Sequence, residues 1–334
     1  YWSPQPLIMG NIVFMLAFML AVYKLPRRPA SNYLATFRTR TEGSTRWDWI
    51  CLGACLIFAC WLMFGTLGFK DGAFQIAFKA WADFGANLSL AQSFVLGRNF
   101  PTQHPYFPGE LIRYHFLFWF QAGNLEFLGL NLVWSVNLLS ILSLVALLIL
   151  IMTLAEILFD SRVVGRLAAL LFFFSSSLSY IPFLRAHKSL SGAVSAIRNS
   201  TNFLASGYPF RGEDWGALTV DVFAIQRHLI SGVGLFLVVL IFLVDRYQYN
   251  RQYGGLEANA GDKGGTFKHL FERAGNAAGS PPWFFGVKIK AFIFAGILIG
   301  ALPLWNSAAY VSALIVLGCT VLLFPYRLYT GVLV

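Results

Sequence analysis

A carboxylate and an amide four positions apart, Asp83 and Asn87, open a polar stretch that lies between long apolar segments. The stretch covers residues 81 to 115 and reads WADFGANLSLAQSFVLGRNFPTQHPYFPGELIRYH. The spacing predicts a helix over 80–95 with both side chains on one side. A carboxylate placed there can act as a general base toward a hydroxyl. It can also simply cap or solvate an interfacial helix, and the residues alone leave both interpretations open.

The second half of the stretch returns three polar side chains toward the same region. Three prolines between residues 100 and 109 forbid a continuous helix. We therefore expect a rigid, irregular segment that delivers Arg113, Tyr114 and His115 to the neighbourhood of Asp83. All three are candidates for substrate binding. The alternative for the two rings is that they are ordinary aromatic residues of a membrane interface.

A second group of polar residues lies further along the chain. Arg227 and His228 stand where an apolar run begins. A guanidinium holds a phosphate by two-pronged, charge-assisted contacts, or it anchors a span at lipid headgroups. Lys188 is a further candidate for a phosphate, and Asp214 for a sugar hydroxyl, although a solvated turn is the alternative for Asp214.

Composition defines the class of protein that carries these residues. The chain is 57% hydrophobic and 12% charged, whereas soluble domains average about 25% charged residues. This composition predicts an all-α polytopic membrane protein. The net charge of +10 comes from loops between apolar runs, which indicates topology and headgroup contact rather than nucleic-acid binding. The four cysteines lie in apolar runs and are interpreted as packing residues.

Apolar runs and basic loops together predict the topology. Four segments carry Lys or Arg, and we place them in the cytoplasm. They are the loop after the first run, the turn DSRVVGR at 160–166, the loop 245–290 and the pair Tyr326-Arg327. A shorter run at 114–129 is polar for a span and is predicted to be interfacial or re-entrant. The N-terminus is then outside, with large outer loops at 70–131 and 184–228. The seven predicted spans are 7–23, 49–69, 132–158, 164–183, 229–244, 289–304 and 307–325.

Four regions follow from this topology. Residues 1–48 form the first span and a basic cytoplasmic loop, and residues 49–245 form a membrane module that carries both outer loops. Residues 246–288 form a flexible cytoplasmic loop, because their centre is rich in Gly and Ala. Residues 289–334 add membrane helices. Since the chain begins at Tyr1 and ends inside an apolar run, we expect further helices beyond it.

The order of features between residues 49 and 245 resembles the GT-C fold, the lipid-linked-sugar membrane glycosyltransferases, and especially poorly characterised prokaryotic members. The features are a span, an outer helix bearing Asp83, the segment FPTQHPYFPGE, the element RYHF, and the triplet Gln226-Arg227-His228 at the mouth of a span. The resemblance implies that Asp83 is the catalytic base. The family often has a His where this chain has Asn87, and this departure bears on whether the site is active.

The resemblance also implies an activity and its partners. A polyprenyl-phosphate sugar would be the donor, and a glycan, lipid or protein would accept the sugar on the outer face of the plasma membrane of a prokaryote. We expect no cofactor. Some relatives use a divalent ion, yet His104 and His115 match no metal spacing. Two other classes stay open: a non-catalytic subunit of a membrane complex, and a lipid or glycolipid transporter, which is less favoured because the charges collect in loops.

Overall fold

The computed structural model describes residues 45–77, 80–175, 180–187, 189–199, 218–258 and 287–323, together with scattered residues between 5 and 20. This part of the chain is mostly helical. Two short β-hairpins interrupt the helices, so the prediction of an all-α fold is corrected in that detail. The hairpin strands are β1 Leu67–Lys70, β2 Ala73–Ile76, β3 Gln103–His104 and β4 Phe107–Leu111. The helices are α1 Thr45–Thr66, α2 Trp81–Val95, α3 Leu117–Phe127, α4 Leu132–Phe159, α5 Arg162–Phe173, α6 Tyr180–Ala186, α7 Leu190–Arg198, α8 Arg227–Ala258, α9 Val287–Trp305 and α10 Ser307–Leu323.

Three of the described helices are long and apolar enough to cross a membrane, namely α1, α4 and the part of α8 from Arg227 to Val244. A 22-residue helix such as α1 is about 33 Å long, enough for a hydrocarbon core of roughly 30 Å. Helices α9 and α10 contain shorter apolar segments. The chain is therefore a membrane protein, and the finer count of seven spans stays a prediction. Most of the predicted first span, 7–23, lies outside the described residues.

The helix boundaries follow from local capping. Helix α4 begins after Asn131, whose side chain accepts a hydrogen bond from the Trp134 backbone N–H at 2.8 Å. It ends at Asp160, which has a left-handed backbone with φ of 48°. Helix α8 continues to Ala258, so the predicted flexible loop that begins at residue 246 is helical over its first part.

One predicted span is not a single helix. The apolar run 164–183 contains α5, which ends at Phe173, and a separate helix, α6. Helix α5 has 12 residues and is about 18 Å long, too short to cross a bilayer core. It buries one side, with Gly165 and Ala169, against its neighbours. Hydropathy alone does not show where an apolar run stops being helical. The crossing predicted for this run stays a prediction.

The long helices alternate in direction, so that α1 and α9 end where α4, α8 and α10 begin. Two contacts join these helix ends. Arg227 at the start of α8 reaches the Met63 carbonyl near the end of α1 at 3.0 Å. The Trp305 indole at the end of α9 donates to Ser231 of α8. We call this end of the bundle the site end. The alternation of these five helices is the one that the predicted topology requires.

The opposite end is held by an ion-pair cluster. Arg162 and Arg166 at the start of α5 lie 3.1 and 3.4 Å from the two carboxylate oxygens of Asp48 on α1. These side chains are largely buried, so their pairing is screened less than that of a surface pair. The cluster fixes α1 against α5 at the end where the sequence predicts the cytoplasm. Which side each end faces stays a prediction.

Helices α2 and α3 form a small layer at the site end. The helix predicted over 80–95 is confirmed as α2, and its spacing buries Phe84, Leu88 and Ala91 on one side. This side packs on α3, where the backbone of Gly123 approaches the Ala91 carbonyl. Helix α3 has only 11 residues and is not among the helices that can span. Its size is consistent with the prediction that 114–129 does not cross.

Both hairpins lie beside this layer. In β1–β2 the turn residues Asp71 and Gly72 have φ of 53° and 78°, the left-handed geometry that a two-residue turn needs. The hairpin β3–β4 occupies the proline-rich segment, as expected for a stretch that cannot be helical. The Tyr106 hydroxyl at its turn lies 2.8 Å from Ser89 on α2. This contact holds the hairpin over the helix that carries Asp83.

Candidate functional site

Asp83 lies in the first turn of α2, at the junction of α2 with the start of α8. Its side chain is half-buried. The carboxylate Oδ2 accepts a hydrogen bond from Gln226 Nε2 at 2.7 Å. A negative charge is favourable in the first turn of a helix. The acid is thus fixed by its own helix and by a residue 143 positions away, while Oδ1 accepts no hydrogen bond from any described residue.

Tyr114 lies near this carboxylate and is partly exposed to solvent. Its side chain is 53% exposed. Burial of the rest of the ring raises the pKa of Tyr114, and the nearby charge of Asp83 raises it further. The phenol therefore stays neutral and able to donate a hydrogen bond at neutral pH. Of the predicted Arg113, Tyr114 and His115, Tyr114 is the residue whose interaction with Asp83 the structure records.

Tyr114 is the outermost ring of a stack that extends into the protein. Its ring centroid is 3.6 Å from that of His115, which is 4.1 Å from that of His228. The exposed fraction falls along this order from 53% to 6% to 1%. Burial lowers the pKa of His115 to about 4, so its imidazole is neutral at pH 7. The two histidines belong to distant segments, and the start of α8 brings them together.

The ring nitrogens of this stack have no hydrogen-bond partner within the described part of the protein. Both nitrogens of His115 and of His228 are buried in this state, and so is the indole nitrogen of Trp119. Trp119 lies on α3, with its ring 6.2 Å from His228. An unsatisfied buried polar group costs about 1–3 kcal/mol. We call Tyr114, His115, His228 and Trp119 the histidine cluster.

Arg227 has a different environment from its neighbour His228. The guanidinium is 0% exposed. It donates to the carbonyls of Met63 and Ala224, at 3.0 and 3.2 Å, to the Thr66 hydroxyl at 2.8 Å and to the Asn137 side chain. Its cationic carbon lies 4.8 Å from the centre of the Phe84 ring. We call Arg227 with Met63, Thr66 and Asn137 the arginine cluster.

The arginine cluster changes the interpretation of one predicted site residue. Arg227 was expected to hold a phosphate, and its observed donors are instead used by α1, α4 and the segment before α8. A guanidinium so occupied joins three parts of the fold. In this structure Arg227 positions Gln226 and His228 rather than facing a ligand. The phosphate contact stays a prediction for this residue, and its burial and four internal hydrogen bonds do not favour it.

The remaining candidates lie in different places. Asn87 is 8% exposed and follows Asp83 by one turn of α2. The side chain of Arg113 is 87% exposed and lies 3.6 Å from Glu110, outside the histidine cluster. Lys188 and Asp214 fall outside the described residues. Substrate contacts by these four residues stay predictions.

Two residues of the site were not identified as site residues from the sequence. Gln226 was noted only as part of the triplet with Arg227 and His228, yet it holds the carboxylate of Asp83. Trp119 is one of ten tryptophans, so nothing in the sequence distinguishes it.

His104 accepts a hydrogen bond from the Tyr106 backbone. Within the described ranges no three His, Cys, Asp or Glu side chains are grouped as a metal site.

Comparisons with family models, with curated proteins and with solved structures find no match to this chain. The functional argument therefore depends on the geometry of the site end.

Proposed function

We propose that this chain is an inverting glycosyltransferase that moves a sugar from a polyprenyl-phosphate donor to an acceptor at the site end of the bundle. The observation that carries the proposal is the carboxylate of Asp83. Gln226 orients one of its oxygens at 2.7 Å, and the other accepts no hydrogen bond from the described residues. The acid lies at the mouth of a membrane span, where a lipid-borne sugar would be presented.

The reaction needs one base and no covalent enzyme intermediate. The acceptor hydroxyl attacks the anomeric carbon of the donor sugar, and Asp83 takes the hydroxyl proton as the new C–O bond forms. The bond from the anomeric carbon to the phosphate oxygen breaks, and the polyprenyl phosphate leaves with the electron pair. Attack from the face opposite the phosphate inverts the configuration. Gln226 keeps the carboxylate aimed during this step.

The polyprenyl tail would lie on apolar surface next to the site. Trp134 at the start of α4 is 51% exposed and packs on Phe64 of α1, with ring centroids 4.8 Å apart. Phe64 in turn packs against the buried core that contains Phe84, the residue that follows Asp83. A lipid chain on Trp134 would thus reach the region of the acid without leaving the bilayer.

A cation other than Arg227 is the better candidate for the phosphate, because the Arg227 guanidinium is buried and uses four of its five N–H donors inside the fold. Arg113 is the described candidate, because its side chain is exposed at the edge of the same layer. Its contact with Glu110 is a surface pair of neighbouring residues, which costs little to exchange for a phosphate. The long side chain has the reach that a lipid phosphate at the interface demands.

The test is transfer of radiolabelled sugar by the protein in nanodiscs, with a panel of polyprenyl-phosphate sugars and a crude membrane glycan fraction as acceptor. We expect Asp83→Asn to lower the rate by about 10²–10⁴-fold, the usual contribution of a general base. Asp71→Asn is the matched control. It removes the same charge from the same outer loop, at a turn with φ of 53° that Asn tolerates.

Each other outcome has a definite meaning. Transfer that survives in Asp83→Asn removes this residue from the role of base. If wild type transfers from none of the donors, the alternative of a non-catalytic subunit of a membrane complex is favoured. Movement of the intact donor between leaflets without transfer favours the transporter. The same protein reconstituted in liposomes with a fluorescent polyprenyl-phosphate lipid reports this movement.

A further inference from the structure

We propose that the ring nitrogens of His115, His228 and Trp119 form a binding site for the hydroxyl groups of a neutral sugar, and that Tyr114 covers it. The inference rests on the proposed function, and it assigns to the histidine cluster the recognition of the sugar itself. Asp83 supplies the base, and the cluster beside it holds the ring on which the base acts.

The cluster is adjacent to the acid along two independent routes. Asp83 is bonded to Gln226, which precedes His228 by two residues. Asp83 is also close enough to Tyr114 for its charge to raise the pKa of the phenol. Tyr114 in turn stacks on His115. A group that contacts the two imidazoles therefore lies near the carboxylate.

The five unpartnered nitrogens match hydroxyl chemistry. A neutral imidazole has one N–H donor and one acceptor, and an indole has a donor only, so the cluster presents three donors and two acceptors. A sugar hydroxyl both donates and accepts. A phosphate only accepts and is better bound by cations, which the neutral rings do not supply. The pattern thus selects an uncharged, hydroxyl-bearing ligand.

The stacking of the two histidines leaves their nitrogens unbonded to each other. The rings of His115 and His228 lie nearly face to face, with centroids 4.1 Å apart and planes inclined at 33°. Their nitrogens are at the ring edges and are not directed at each other, so the pair is not a proton relay. A ligand at the edges can bond to both rings at once.

Tyr114 controls access to these edges. It belongs to residues 112–116, which form neither helix nor strand, and it is the exposed member of the stack. The two histidines behind it are buried. Displacement of this one ring from its contact with His115 opens the cluster, whereas α3 and α8 keep their places.

The first experiment observes the histidine nitrogens directly. The chain has five histidines, so the protein labelled with ¹⁵N-histidine and held in nanodiscs gives an NMR spectrum that His115→Asn and His228→Asn variants assign. The probes are undecaprenyl phosphate, undecaprenyl phosphates of glucose, galactose, mannose and arabinose, and the methyl glycosides of these sugars. Shifts caused by the lipid-linked sugars identify the donor ring, and shifts caused by the methyl glycosides identify an acceptor sugar.

We expect at least one sugar-bearing probe to shift the signals of His115 and His228 and to leave His104 unchanged. An equal shift with undecaprenyl phosphate alone would show an anion site and overturn the proposal. The absence of a shift with every probe, in protein that binds undecaprenyl phosphate by native mass spectrometry, would show a cluster that binds water only. Asp83→Asn separates the two proposals, since it is expected to abolish transfer and to keep the histidine shifts.

A kinetic test uses His228→Phe, which keeps a flat ring in the stack and removes both nitrogens. We expect the KM for the recognised sugar substrate to rise about 10–100-fold, as for the loss of one or two hydrogen bonds, with a smaller change in kcat. His104→Phe, on the hairpin β3–β4, is the control and should leave both constants unchanged. A KM for His228→Phe equal to that of wild type would contradict the assignment.

Discussion

Arg227 and His228 are adjacent on α8 and equally buried, yet the hydrogen bonding of their side chains is opposite. Every contact of the Arg227 guanidinium described above is a hydrogen bond to the protein or a ring face. Both nitrogens of His228 lack a partner among the described residues. The first residue completes the fold, and the second leaves binding capacity that the fold does not use.

The difference shows how to separate structural from functional polar residues in a membrane protein. Both types are costly to bury, so burial alone does not distinguish them. A polar group whose partners are all internal is explained by stability. One that is buried beside a carboxylate with its hydrogen bonds unmade has capacity left for a water molecule or a ligand.

The largest effect should come from removing the structural member of the pair. Arg227→Met would leave the Asn137 and Thr66 side chains and the Met63 carbonyl without their donors. We expect the free energy of unfolding to fall by at least about 3 kcal/mol. Reversible unfolding of the purified protein in mixed micelles measures it.

His228→Phe is the matched control for Arg227→Met. Because the His228 nitrogens lack partners in the described structure, an apolar ring of similar shape should change the stability by less than about 1 kcal/mol, or raise it. Equal destabilisation by the two substitutions would remove the distinction between the arginine and histidine clusters.

Acid should act on the histidine cluster with the next largest effect. The pKa of His115 is lowered from 6.5 to about 4 on folding, so the unfolded chain binds the proton more tightly. The stability contribution is complete above pH 6.5 and is lost as the pH falls toward 4, by about 3 kcal/mol in total. Unfolding midpoints at pH 7, 5.5 and 4 should fall less steeply in His115→Phe. Identical pH profiles for the two proteins would refute the burial of a neutral imidazole here.

Substitution of one glycine at each end of the bundle tests how close packing there affects stability and transfer. A Cβ at Gly123 would lie 3.0 Å from the Ala91 carbonyl and 3.3 Å from Phe94, so Gly123→Ala must push α2 away from α3. At Gly165 it would lie 3.0 Å from the Met152 carbonyl. We expect each substitution to cost about 1–3 kcal/mol. Only Gly123→Ala should also slow sugar transfer, because α2 carries Asp83. A transfer assay on protein equalised for folded fraction separates the two.

The smallest effect on stability is expected at Arg113. Its side chain is 87% exposed and pairs with Glu110 at 3.6 Å. Arg113→Gln should change the unfolding free energy by less than about 0.5 kcal/mol. If Arg113 holds the donor phosphate, the same variant should bind undecaprenyl phosphate more weakly. Unchanged binding would direct the search for the phosphate cation elsewhere.

The sequence predicted the parts of the fold that hydropathy and proline determine. Helices α1 and α4 lie close to the predicted 49–69 and 132–158, and α2 matches 80–95. The break in the run 164–183 was missed, because apolar content is the same in a continuous and an interrupted helix. The hairpin β1–β2 was also missed, although Asp71-Gly72 between short apolar runs is a recognised turn signal.

The site was predictable only in part. The approach of Tyr114 to Asp83 was predicted from the prolines. They exclude a continuous helix between the two residues, which would hold them far from each other. The contact between His115 and His228 depends on how α3 packs on α8, and no local pattern encodes it. The internal role of Arg227 was hidden for the same reason, since its partners on α1 and α4 lie 90 to 164 residues away.

The most direct test of the account is a single-turnover measurement with the donor already bound. Wild type, Asp83→Asn and Asp71→Asn are loaded in nanodiscs with the donor that the panel identifies, retention is confirmed by native mass spectrometry, and acceptor is then added. We predict that Asp83→Asn keeps the donor and transfers its sugar at least about 10²-fold more slowly than both other proteins. Equal transfer rates in all three proteins, with the donor bound, would contradict the assignment of Asp83 as the base.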